Sequence, residues 1–95
     1  MKLAGSGLLT AAGRIHANAQ PALLSWAAIV RQADWSSPAD LKRLFPNASI
    51  LSDNRVIFNL KGNTDRLVSR IHYPARVVQV RWFGTHAEYD KLKLK

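Results

Sequence analysis

The chain has 95 residues, 47% of them hydrophobic and none of them cysteine, which allows one compact domain over residues 1–95 and excludes a disulfide framework or a thiolate metal site. Fourteen Lys and Arg against six Asp and Glu give a formal charge of +8, a balance that favours polyanionic partners, nucleic acid first. The start, Met1 to Ala12, is interrupted by Gly5, Ser6 and Gly7 and is too short to cross a bilayer, so no signal peptide, anchor or membrane partner is expected, and the expected compartment is the cytoplasm.

Lys2 and Leu3 are compatible with a short edge strand. Leu8, Leu9, Ala12, Ile15 and Ala19 then recur at helical spacing, and a second helix carrying Leu23, Leu24, Ala27 and Val30 follows Pro21, a residue favoured in the first helical turn. Ser37, Pro38 and Asp40 supply an N-cap, a first-turn proline and an acidic third position. They announce a short helix with an apolar face of Leu41, Leu44 and Phe45, ended by Pro46 and Asn47.

The period then changes from helical to alternating. Arg55 to Lys61, Arg66 to Tyr73 and Val77 to Phe83 read as strands, joined by short turns at residues 62–65 and 74–76 that force an antiparallel meander. The fold class is therefore α+β, with N-terminal helices packed on one face of a small antiparallel sheet. Alternation assigns Val56, Phe58, Leu60, Leu67, Ile71, Val78, Val80 and Trp82 to the core face. The opposite face receives Asn59, Lys61, Arg66, Arg70, Gln79 and Arg81. Cations from three adjacent strands would repel one another there unless an anion occupied the surface.

Thr85-His86-Ala87-Glu88 has the form of a capping box, so a short C-terminal helix should begin directly after the last strand, with His86 in its first turn. The positive end of that helix and the neighbouring arginines both disfavour the imidazolium, leaving an uncharged ring able to accept a proton. Tyr89 and Asp90, three and four positions on, share its face. RNA cleavage by its own 2′-hydroxyl requires a proton acceptor, cationic help for the developing phosphorane charge and a donor for the leaving oxygen. His86, Tyr89 and the basic face hold each type. His16 and His72 read as structural histidines, and Trp26, Trp35 and Trp82 as core or helix-seam residues. The acidic residues show no metal-ligand spacing and no Gly-rich phosphate cradle is present, so neither a metal nor another cofactor is expected. Gly62-Asn63 reads as a hairpin turn from which Asn63 could reach a nucleotide.

Several stretches resemble the HigB toxins, within the wider RelE-like fold of bacterial type II toxin-antitoxin pairs. They are Ala33-Asp34-Trp35, Pro38 to Lys42, Phe45-Pro46, Asp53 to Asn59, Lys61-Gly62-Asn63, Arg66-Leu67-Val68 and, most specific, Phe83 to Asp90. The resemblance runs in order from residue 33 to residue 90. It implies a RelE-like fold and an endoribonuclease (mRNA interferase) that cuts messenger RNA, usually on the ribosome, without a metal. It also implies a cognate HigA-type antitoxin with a helix-turn-helix domain. Carried over by position, Lys61 and Arg66 would contact the scissile phosphate and His86 and Tyr89 would handle protons and orient the nucleotide. Asn63, Arg70, Asn59, Arg81 and Lys91 are supporting RNA-binding candidates. Family members often open with a basic, polar first helix, whereas Ala4 to Ala12 carries no charge.

Two other functions fit the same residues. The basic face could bind RNA or an acidic protein segment and act by occupancy alone, or the toxin fold could act on another target, as relatives of this architecture do by inhibiting DNA gyrase.

Overall fold

The computed structural model describes residues 1–61 and 64–92. Strand β1 (Lys2–Ala4) leads into helix α1 (Ser6–Ile15), a single 3-10 turn at Ala17–Ala19, α2 (Gln20–Gln32) and α3 (Pro38–Leu44). Strands β2 (Ser49–Ile50), β3 (Arg55–Leu60), β4 (Asp65–His72) and β5 (Val77–Thr85) follow, and α4 (His86–Asp90) ends the order. The expected meander is present as β3-β4-β5, and the whole sheet runs β1-β5-β4-β3-β2.

Two features depart from the sequence reading. The sheet is mixed, because β1 pairs in parallel with β5, Leu3 opposite Val78; the helices and strands between them free this pair from the short hairpin connection that imposes antiparallel pairing. A two-residue strand, β2, also adds to β3 beyond a turn in which Asp53 and Asn54 both take left-handed φ of 63° and 59°, a conformation Asp and Asn tolerate.

The helices cover one sheet face. Leu23, Trp26, Ala27 and Val30 of α2 fall at the spacing that puts four side chains on one stripe; all four are buried, with Leu41 of α3 and Val56, Phe58, Leu67, Ile71 and Val78 of the sheet. Aromatic rings lock the centre edge to face: Phe58 meets Trp26 at 5.3 Å and Phe45 at 4.9 Å. Leu24 and Leu44, expected on core faces, are 64% and 55% exposed. Leu24 lies one position past the buried Leu23, and Leu44 is the last residue of α3.

Trp82 requires a correction. It was expected in the core, but a register shift between Val68 and Ser69 pairs Ser69 with Val80 and Val68 with Trp82, leaving Arg81 as an extra, unopposed residue. This β-bulge inverts the alternation. Phe83 enters the core in place of Trp82, and the half-buried indole turns to the opposite face.

Candidate functional site

The face opposite the helices is layered. Arg55 and Arg70 face each other across β3 and β4; Ile57, Val68 and Trp82 form the next row, and Asn59, Arg66 and Gly84 the one after it. The middle row is apolar, with Ile57 and Val68 1% and 5% exposed, so the surface is not the uniformly wet, cationic sheet that strict alternation implies. The repulsion assigned there to a bound anion is met at the Arg55–Arg70 end by the protein itself. Nη2 of Arg70 lies 3.0 Å from the Asp53 carboxylate, while Nε and Nη2 of Arg55 donate to the Ser52 carbonyl and hydroxyl at 3.1 and 3.2 Å.

At the opposite end of the strands the sequence-predicted residues gather. The capping box forms as read: Thr85 Oγ1 accepts from the Glu88 backbone N–H at 3.2 Å and the Thr85 N–H donates to Glu88 Oε1 at 2.9 Å. That backbone hydrogen bond holds the Glu88 carboxyl below its ordinary value of 4.5. The His86 N–H donates to the Thr64 carbonyl at 2.9 Å, which ties the start of α4 to the β3–β4 hairpin and brings His86 to the end of the sheet where Lys61 and Arg66 emerge. Nδ1 of His86 lies 3.0 Å from Oδ2 of Asp90, with both side chains more than half exposed. The contact holds the ring by one nitrogen and leaves Nε2 for other chemistry.

Tyr89 packs over Trp82 with ring centroids 6.4 Å apart. Trp82 in turn lies across Gly84: a Cβ at residue 84 would sit 2.5 Å from its Cη2 atom. Gly84 is the partner of Arg66 on the neighbouring strand. Arg66 is not the solvated cation expected from the sequence. It is 8% exposed, and its Nη1 donates to the Asp65 carbonyl at 3.2 Å, which orients the group before any ligand arrives.

The supporting residues are placed less uniformly. Asn59 lies opposite Arg66, but its Nδ2 donates to the Asn47 carbonyl at 3.0 Å. Arg70 sits four residues along β4 from Arg66, about 13 Å at strand spacing, and is engaged by Asp53. Arg81, the bulge residue, is exposed and lines a hollow with Leu8, Ala11, Ile15 and His16 on the helix side. Lys91 is the exposed C-cap of α4. Asn63 lies outside the described residues.

Sequence reasoning missed two groups at this end. Asp65, assigned to the turn, instead opens β4 opposite Thr85 and is 4% exposed. His16, read as structural, closes α1 and meets Phe83 edge to face at 5.4 Å. The signal for Asp65 was its parity with Leu67 and Ile71, which marks it as an acid on the helix-facing register.

A family profile described as the HigB toxin, RelE-like toxic component of a toxin-antitoxin system, matches residues 19–92. The chain belongs to the HigB toxin family. Membership makes it the toxic component of a pair with an antitoxin partner, and its helices over a five-stranded sheet fit the RelE-like fold. The chain is also 28% identical over 81 residues to the mRNA interferase HigB of Escherichia coli O6:H1, covering 83% of this chain and 79% of the relative. No helix among the described residues is long and apolar enough to cross a membrane.

Proposed function

We propose that this HigB-family toxin is an mRNA interferase, a metal-independent endoribonuclease of the bacterial cytoplasm that cuts messenger RNA at the ribosome until a HigA-type antitoxin restrains it. The observation that carries this reading is the stitching of the α4 start to the β3–β4 hairpin through His86 N–H and the Thr64 carbonyl, beside a pre-oriented Arg66 and the Trp82–Tyr89 pair. The similarity to the Escherichia coli mRNA interferase supports it.

In this mechanism Nε2 of His86 accepts the proton of the attacking 2′-hydroxyl, with Asp90 holding Nδ1. Arg66 and Lys61 face the non-bridging oxygens, where negative charge grows as the phosphorane forms. Tyr89 stacks with the nucleotide, and its hydroxyl gives a proton to the 5′-oxygen as the O2′–P bond forms and the P–O5′ bond breaks. The products are a 2′,3′-cyclic phosphate and a 5′-hydroxyl end.

Mapping 5′ ends after brief expression tests the proposal. New ends should appear in messenger RNA, fall by about a hundredfold or more in His86→Ala, vanish for a substrate with one 2′-deoxy nucleotide at the cut, and persist with chelator. RNA binding without new ends would instead indicate action by occupancy, and altered supercoiling without RNA cleavage would indicate gyrase as the target.

A further inference from the structure

A groove of about 240 Å³ runs between α1 and α2. The short turn at Ala17–Ala19 makes the two helices antiparallel neighbours, and a Cβ at Gly13, near the end of α1, would lie 3.6 Å from Gln20 Cγ at the start of α2. Leu9, Leu23 and Ala27 give the groove an apolar floor, and Leu24 stands on the same lining 64% exposed. Arg14 and Arg31, in the last turns of α1 and α2, close it at its two ends. Both are exposed, and the ion pairs among the described residues go to Arg43, Arg70, Arg76 and His86 instead. No residue of the lining is aromatic and none is acidic. The larger hollow of about 420 Å³ at the hairpin end, with His16, Lys61, Asp65 and Thr85 on its rim, shares no residue with this groove.

These features select among occupants. A single nucleic-acid strand in a cationic groove rests its bases on aromatic faces, and the lining offers none. An extended peptide requires an open strand edge, whereas both walls here are helices whose backbone groups bond within themselves. A second copy of the chain would bring another charge of +8 and the same two arginines. An amphipathic helix with acidic residues matches both the floor and the ends. The chain belongs to a family of toxins that act with an antitoxin, so a protein partner is at hand. We propose that the groove is the docking surface for an acidic, amphipathic helix of that antitoxin, a reading that rests on the family and not on the nuclease. Apolar side chains of the docked helix, at i, i+4 and i+7, lie on Leu9, Leu23 and Leu24. Ten residues of α1 span about 15 Å, so carboxylates two to three turns apart reach both arginines.

Hydrogen–deuterium exchange of the full-length toxin, free and in its purified complex with the antitoxin, tests the assignment without any RNA. In the complex the amides of α1 and α2 should exchange about tenfold more slowly or less. Leu24→Asp, at a position already exposed, and Arg31→Glu should each weaken the complex by about tenfold or more and melt as the unaltered toxin does. Arg43→Glu, on α3 and away from the groove, should leave the affinity as it was. Unchanged exchange in both helices, with slowing elsewhere, overturns the inference even if a variant does not fold. So does an Arg43→Glu variant that loses as much affinity as Arg31→Glu, which would make Arg31 a general charge. Slowing of α1 and α2 by an oligoribonucleotide and not by the antitoxin overturns it in favour of RNA. A toxin that cuts messenger RNA but whose groove ignores the antitoxin loses the docking surface and keeps the nuclease; one whose groove is protected but which yields no new 5′ ends does the reverse.

Discussion

Lys61 holds a left-handed φ of 52°, a conformation that costs an L-residue roughly 1 kcal/mol. Its place at the rim between Asp65 and Thr85 gives that strain a use. Lys61→Gly should leave stability equal or raise it by up to about 1 kcal/mol in urea melts, while RNA cleavage falls at least tenfold. Loss of both together would show that the lysine supports the fold instead. Gly84 makes the complementary case, because its missing Cβ is the space Trp82 occupies. Gly84→Ala should push the indole out of its place beside Tyr89, cost about 1–3 kcal/mol as an overpacked site, and lower activity beyond what the lost stability explains.

At the scale of elements, β5 and α4 decide the site. Deleting Arg81 removes the bulge but keeps Trp82 outward and Phe83 inward, since the residue lost is the unopposed one. The variant should fold, yet cleave poorly, because a bulge bends its strand and here sets the direction in which α4 leaves it. Inserting one residue after Arg81 exchanges Trp82 and Phe83 and should cost about 3 kcal/mol or more. Urea unfolding of the two variants separates these outcomes. The caps of α3 and α4 also give a pH prediction. Asp40 and Glu88 are both held below their ordinary values of 3.8 and 4.5 by hydrogen bonds from Ser36 and Thr85. A depressed folded value means the stabilisation is complete above the unfolded value and is lost as pH falls through the folded one. Thermal stability should therefore decline as pH drops below about 4.5, and Glu88→Gln, which keeps a capping box without a charge, should flatten that decline.

These elements also show what the sequence made legible. Capping residues speak through local spacing, so α3 and α4 could be read from Ser37 and Asp40, and from Thr85 and Glu88. The meander followed from alternation and short turns. Trp82 was misplaced because alternation is a local rule, and the bulge is decided by how β5 pairs with β4. The burial of Arg66, the diversion of Asn59 to Asn47 and the placing of His16 and Asp65 on one hollow depend on neighbours distant in the chain, for which a single sequence has no local mark. The proposed catalytic set was legible as residue types, and its geometry was not.

Across the whole molecule, the six acidic residues of a +8 chain divide by position. Asp34, Asp40 and Asp53 pair with Arg76, Arg43 and Arg70, while Asp65, Glu88 and Asp90 stand at the hairpin end. Arg81 and Lys91 are exposed. RNA binding should therefore weaken steeply with salt, and Lys61→Ala should reduce the log–log slope by about 0.7, the value for one single-strand phosphate contact. An unchanged slope would remove Lys61 from the phosphate.

The pairing of β1 with β5 has a bearing on when this toxin folds. Residues 2–4 are translated before the rest of the sheet, and the strand that receives them is its last. Until residues 77–85 are out of the exit tunnel, β1 has no neighbour, β4 lacks one side and the groups around His86 have no platform. The sheet can therefore close only once its last strand has been synthesised, so folding of this toxin is completed late and its first strand waits for its last.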